Sequence, residues 1–321
     1  MPLTSPPLMK ITLAGLHAPH VPRLQALLGD RHAVEGLENL PASGLIETDV
    51  LVTIRLREDE ARRLKCSLLQ APGAGLDAIA LDCLAEGIRV CNVYDHEQPI
   101  AEFVTHAVLD YAIHPEPPAP MDAAHWPQAY RGRPFHGEAQ GRRAAIVGFG
   151  VIGRATARRL RAQGLHVTAV TRRRGPQAEA GAAHPVAQLR SLLPEVDVLV
   201  LCCPLTQETE GLVGAQELDA MRPDALLVNV GRGPLVQEQA LYEALVARRI
   251  GRAVLDVWYQ YPTAGQTELA PSRFPFHTLP NARCTPHIAG WTQGLLQRRY
   301  EFMARNIGRL GRGEALENVV R

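Results

Sequence analysis

Residues 144–174, AAIVGFGVIGRATARRLRAQGLHVTAVTRRR, decide the fold. Ala144 to Val147 are four apolar residues in a row and read as a buried strand. Gly148-Phe149-Gly150-Val151-Ile152-Gly153 follows, then a helix-forming run of Ala, Arg and Leu, then Gly164 and a second apolar run from Leu165 to Val170. Strand, glycine turn, helix and strand, in that order, make the dinucleotide-binding βαβ unit. Gly148 permits the tight turn, Gly150 lets backbone approach a pyrophosphate, and Gly153 lets helix pack closely on strand. The N–H groups at the start of the helix, with the helix dipole, favour phosphate charge.

Working outward, 321 residues make about two domains. A hydrophobic content of 46% with 21% charged residues describes a globular protein with ample core. The formal net charge of +1 argues against nucleic acid or an anionic membrane as the main partner. The opening MPLTSPPLMK carries no basic stretch followed by an apolar one, so no secretory signal is read. No apolar run approaches the length of a membrane span. The six cysteines have no C-x-x-C spacing and lie mostly in apolar segments, the pattern of buried thiols in a reducing cytoplasm. No metal site is expected.

Upstream of the glycine motif, strands are expected at Leu8–Gly15, Thr48–Ile54, Ser67–Ala71 and Ile88–Val93. The helices are expected at Val21–Leu28, Glu58–Leu64, Asp77–Glu86 and Ala101–Ile113. His114–Pro120 contains four prolines, breaks helix and ladder alike, and reads as an interdomain crossing. Downstream, strands at Val196–Cys202, Ala225–Asn229 and Ala253–Val257 alternate with helices at Ala187–Leu193, Gln216–Met221 and Gln237–Arg248. A last amphipathic helix, Gly294–Leu310, carries the chain away from the nucleotide domain, back toward the first.

Further motifs are Gly73-Ala-Gly75-Leu-Asp77, Ala101-Glu102, Pro204-Leu-Thr-Gln-Glu-Thr209, Asn229-Val-Gly-Arg232-Gly233, Leu255-Asp256-Val257 and Thr285-Pro-His287-Ile-Ala-Gly290. In this order and spacing, the chain resembles the D-isomer-specific 2-hydroxyacid dehydrogenases from about residue 45 onward. The resemblance implies an α/β protein of two Rossmann- or flavodoxin-like doubly wound domains with parallel sheets, the cofactor domain inserted in the substrate domain. On that pattern residues 1–113 and 291–321 form the substrate-binding domain and 114–290 the dinucleotide-binding domain. An active-site cleft between the domains and a homodimer paired through the cofactor domains are implied as well.

Hydride exchange between a nicotinamide and a small 2-hydroxy or 2-oxo acid needs a cation for the carboxylate and carbonyl, and an acid/base for the hydroxyl proton. Arg232, flanked by glycines after an apolar strand, suits the first task, because its planar fork matches a carboxylate. Backbone N–H groups at Ala74 and Gly75 would complete the carboxylate site. His287, behind a Thr-Pro pair that holds Thr285 extended, stands where the family has its acid/base histidine. His96 and Glu97 precede the long helix and are further substrate-side candidates.

The implied cofactor contacts are Gly148, Gly150, Val151, Ile152, Gly153, Thr171, Arg172, Arg173, Pro204, Thr209, Val230, Gly231, Asp256, Ala289 and Gly290, with Asp256 orienting the nicotinamide amide. NAD-dependent members end the second strand in a carboxylate; eighteen residues beyond Gly153 this chain has Thr171, followed by three arginines. A hydroxyl and guanidinium groups attract a 2′-phosphate that a carboxylate repels, so NADP(H) is expected, with NAD possible. The family also carries a glutamate before a proline, five residues after the matching aspartate, as partner of the histidine. Here that position is Tyr261, in Asp256-Val-Trp-Tyr-Gln-Tyr261-Pro262. Tyr261 would orient His287 without charge, unless another acid such as Glu97 has taken the role. The expected activity is a glyoxylate- or hydroxypyruvate-like reductase. A dehydrogenase for a phosphorylated or phosphonate substrate such as 3-phosphoglycerate, and a non-catalytic nucleotide sensor, stay open.

Overall fold

The computed structural model describes residues 8–113, 122–172, 175–262 and 266–321. Two compact units divide the described chain: the residues up to Asp95 with Gln266 and Gln293–Arg321, and His96–Pro262 with Thr267–Thr292. Each is built on a parallel sheet, as the alternating strands and helices dictate.

In the first unit five strands lie in the order Ala33–Leu37, Lys10–Ala14, Val50–Val52, Leu68–Gln70, Arg89–Cys91. Helices Val21–Leu28 and Gln293–Gly311 cover one face, where Ile11, Leu13, Val50 and Leu68 pack with Leu24, Tyr300, Met303 and Ile307. The return of the last helix to this unit agrees with its expected destination. At one edge the backbone of Asn318–Arg321 bonds antiparallel to Arg89–Cys91: Val90 N–H donates to Arg321 O, and Val320 N–H to Val90 O.

The expected helix at Asp77–Glu86 does not form. Ile79 instead bridges to Leu56, with Leu56 N–H donating to Ala78 O and Ala80 N–H to Leu56 O, and only a 3-10 turn remains at Leu81–Cys83. Long-range pairing has taken the backbone groups that a helix would use.

The second unit has seven strands in the order Ala182–His184, His166–Val170, Arg143–Val147, Val198–Leu201, Leu226–Asn229, Arg252–Leu255, Ala282–Cys284. The strand order reverses between Arg143–Val147 and Val198–Leu201, so the glycine motif lies at a topological switch point. The expected helix at Ala187–Leu193 is one α-helical turn, Leu189–Leu192, between 3-10 turns.

The domain boundary expected at residue 113 falls at Asp95–His96 instead. Helix Glu97–Ile113 buries Ile100, Val104, Val108 and Ala112 in the core of the glycine-motif unit, and Arg159 reaches across to Gln98 and Glu102. Ile113 and Asp122 belong to one unit; the proline-rich segment read as an interdomain crossing lies outside the described residues. The later boundary falls at Thr292–Gln293, two residues beyond expectation.

Candidate functional site

All seven strands of the second unit are parallel, so their C-terminal ends share one edge, where open α/β sheets bind ligands. The motifs found in the sequence follow those ends. Gly148 has φ +94°, and a Cβ there would lie 2.5 Å from Cys203 N. A Cβ on Gly153 would lie 2.2 Å from Gly148 O, so helix Val151–Ala162 can approach the strand only through glycine. Gly150, the N-cap residue, differs: a Cβ there meets no protein atom within 4 Å. The N–H groups of the first turn, at Val151, Ile152 and Gly153, have no carbonyl within the helix to bond. A donor-rich hollow that the fold does not fill suits a pyrophosphate.

Thr171 directly follows the second strand of the motif and is buried. Arg172 is exposed and its Nη1 lies 3.3 Å from Oε2 of Glu208, within the Pro204–Thr209 segment. Glu208 was not singled out in the sequence. Arg173 lies outside the described residues. The Pro204–Thr209 turn is closed by Thr209, whose hydroxyl donates to Pro204 O at 2.8 Å and accepts from Thr206 N–H at 2.8 Å.

The Asn229 carboxamide shapes the backbone at Val230, Gly231 and Arg232. Its Nδ2 donates to Arg232 O at 2.9 Å, and its Oδ1 accepts from Gly231 N–H at 3.1 Å. Arg232 is extended and half-buried, with Nη1 donating to Gly231 O at 2.8 Å.

Asp256 is buried at 1% exposure and organises the histidine loop. Oδ1 accepts from the Thr285 hydroxyl at 2.6 Å and Ile288 N–H at 2.8 Å; Oδ2 accepts from Ala289 N–H at 2.9 Å. These three donors bracket His287, which adopts φ +58°, a left-handed conformation that costs energy in a residue with a Cβ. The resemblance gave Asp256 to the nicotinamide amide; in this structure both carboxylate oxygens hold the loop. Gly290 lies against Ile100 and the Cβ of His96.

The Tyr261 hydroxyl lies 2.9 Å from His287 Nδ1. Trp258 N–H donates to the same oxygen at 3.1 Å, and Trp258 Nε1 donates to Thr285 O at 2.8 Å. Trp258 therefore fixes both partners, a role that no motif announced. Of the other candidates, His96 is buried, and Glu97 opens the long helix rather than lying in a loop before it. Glu97 Oε2 is shut off from solvent with no hydrogen-bond partner among the described residues. In the first unit Gly73–Gly75 follows strand Leu68–Gln70, held by Asn92, whose Nδ2 donates to Ala74 O at 3.1 Å. Among the described residues no group of His, Cys, Asp and Glu could hold a metal, and no helix is long and apolar enough to cross a membrane.

Fold and site together define a dinucleotide-dependent protein of the doubly wound α/β class. The family model for the NAD-binding domain of D-isomer specific 2-hydroxyacid dehydrogenases matches residues 116–289, more than half the chain, and the chain belongs to that family. It is 36% identical over 180 residues to a glyoxylate reductase of Thermococcus gammatolerans, covering 56% of this chain and 52% of that one. A D-3-phosphoglycerate dehydrogenase of Methanocaldococcus jannaschii is 30% identical over 82% of this chain and 48% of its own. The chain thus spans about half the length of these curated relatives. A crystal structure of the NADPH-dependent glyoxylate/hydroxypyruvate reductase of Sinorhizobium meliloti with NADP and sulfate has the same fold, with a TM-score of 0.76 at 23% identity. It covers 97% of this chain and 98% of its own.

Proposed function

We propose that this chain is an NADP(H)-preferring reductase of small 2-oxo acids of the glyoxylate or hydroxypyruvate kind. The observation that carries the reading is the loop geometry at one sheet edge. Asn229 shapes the backbone at Arg232, and Asp256 with Trp258 holds His287 in a left-handed conformation beside Tyr261. The bound nicotinamide supplies the hydride. Arg232 holds the substrate carboxylate and polarises its carbonyl. His287 gives its Nε2 proton to the alkoxide oxygen, and neutral imidazole takes it back in the oxidative direction.

Tyr261 serves both states of the ring. Its oxygen accepts from Trp258 N–H and, through its remaining lone pair, from Nδ1–H, which both imidazolium and the neutral ring left after loss of the Nε2 proton carry. Thr171 and Arg172 receive the 2′-phosphate in this reading. The exposed aromatic rings of Trp126, Tyr130 and Phe135 support a homodimer.

A panel of 2-oxo acids assayed with NADPH and NADH tests the function. Turnover of at least one, lost by at least about 100-fold in His287→Ala, is expected. Near-normal kcat in that variant, or no turnover of any 2-oxo acid, overturns it.

A further inference from the structure

Trp258 touches the segments of both Arg232 and His287, and every residue that it joins belongs to the glycine-motif unit. It stands just beyond strand Arg252–Leu255 and is buried. On one side its peptide is pressed against Gly233, the residue after Arg232. A Cβ on Gly233 would lie 2.3 Å from Trp258 O and 2.4 Å from its carbonyl carbon, so the Arg232 segment seats directly on Trp258 through glycine. On the other side lies the histidine loop. Indole Nε1 donates to Thr285 O at 2.8 Å, and His287 N–H donates to that same oxygen at 3.0 Å. The third contact is the Trp258 N–H, which donates to the Tyr261 hydroxyl beside Nδ1 of His287.

A buried indole needs an acceptor for its N–H, and many backbone carbonyls would serve. Here the acceptor is the one carbonyl to which the His287 N–H is already tied. His287 is held at φ +58°, a conformation that persists only where its surroundings over-determine it. Asp256 fixes the Thr285 hydroxyl and the N–H groups of Ile288 and Ala289, and Trp258 fixes the Thr285 carbonyl. The same tryptophan thus meets the segment of the proposed cation and the segment of the proposed acid. Both must act on a single carbonyl, and a misplacement of about 1 Å in such a pair costs about 100-fold in rate.

We propose that Trp258 is a positioning residue that sets the spacing of Arg232 and His287. This rests on the 2-oxo acid reductase reading. The test is Trp258→Phe, which keeps an aromatic ring and the main chain but removes the indole donor. For the 2-oxo acid that the wild type turns over best, kcat should fall about 10-fold or more, with KM and Kd for NADPH within about threefold, because Arg232 keeps its seat on Gly233. Trp258→His, which returns a ring N–H, should recover part of the loss. Gly233→Ala, which forces the Trp258 carbonyl away, should raise KM as well as lower kcat. Imidazole 15N spectra, with His287 identified by its absence from His287→Ala, should show one neutral-ring tautomer in the wild type and a mixture in Trp258→Phe. If the Phe variant does not fold, Trp258→His and Gly233→Ala carry the same comparison. Unchanged kcat and tautomer in a folded Trp258→Phe, whatever its melting temperature, remove this proposal alone. Losses of kcat and NADPH affinity in equal measure do the same. Failure of the wild type on every 2-oxo acid removes the functional reading, and the imidazole spectra then decide whether Trp258 holds His287.

Discussion

The Tyr261 hydroxyl lies 2.9 Å from His287 Nδ1, at the position where the resemblance leads one to expect a carboxylate. A carboxylate stabilises imidazolium and raises its pKa, whereas a tyrosine hydroxyl is neutral at pH 7.

Replacing Tyr261 should therefore move the pH profile. Reduction needs imidazolium, so its rate falls as pH rises through the histidine pKa, and a neutral partner places that fall at lower pH. Tyr261→Glu should shift the basic limb upward by about one unit or more, and the oxidative direction should then need higher pH. Profiles of kcat/KM in both directions measure this. An unmoved limb in Tyr261→Glu, with a downward shift in Glu97→Gln, would assign the partner to Glu97.

The three motif glycines should separate under substitution. Gly150→Ala adds a methyl to space that no protein atom occupies within 4 Å. Its melting temperature should stay within a few degrees of wild type, while Kd for NADPH rises at least about 10-fold through collision with the pyrophosphate. Gly153→Ala, whose Cβ would lie 2.2 Å from Gly148 O, should lower both stability and binding. Calorimetry and fluorescence titration give the two quantities. Unchanged NADPH affinity in Gly150→Ala would exclude pyrophosphate from this hollow.

Cofactor preference should depend on an exposed pair. Arg172 lies 3.3 Å from Glu208, and such a pair holds with at most about 1 kcal/mol, little enough for a phosphate to displace. Arg172→Ala should reduce the preference for NADPH over NADH by about 10-fold, and Glu208→Gln should increase it by freeing the guanidinium. The ratio of kcat/KM with the two cofactors is the readout. An Arg172→Ala ratio equal to wild type would sink the idea, as would a wild type that uses NADH as well as NADPH.

Acid stability should report His17. Its folded pKa, about 4, lies below the ordinary 6.5 because the ring is buried and faces His20 and Arg299. Below the unfolded value the unfolded chain binds the extra proton, so stability is full above about pH 6.5 and drains as pH falls toward 4, by up to about 3 kcal/mol. Melting curves across that window should show the decline, and His17→Gln should flatten it. An equal slope in the variant would place the titration elsewhere.

Legibility in the sequence followed burial. Val198–Leu201 and Leu226–Asn229 are apolar throughout and readable, whereas the half-exposed edge strand Ala33–Leu37, AVEGL, carries no alternation to betray it. Asp77–Glu86 had helical spacing and a terminal glycine, but the Leu56–Ile79 bridge joins residues 23 apart, which no local window contains. In the site, the motifs located Arg232, His287 and the glycines because each occupies a fixed offset from a strand end. Trp258 beside Tyr261 and Thr285, Glu208 beside Arg172 and Asn92 beside Ala74 carried no such signal, because each acts through a single loop position or on a segment distant in sequence.

The bond between His17 and Tyr300 joins residues 283 apart, and the whole second unit lies between them. Until that helix arrives, the face of Ile11, Leu13 and Val50 lacks Tyr300, Met303 and Ile307. The glycine-motif unit lies wholly within the intervening chain and can close first. The kinetic consequence is a late, high-contact-order step confined to the first unit, during which a strand face made for burial stands exposed to other chains.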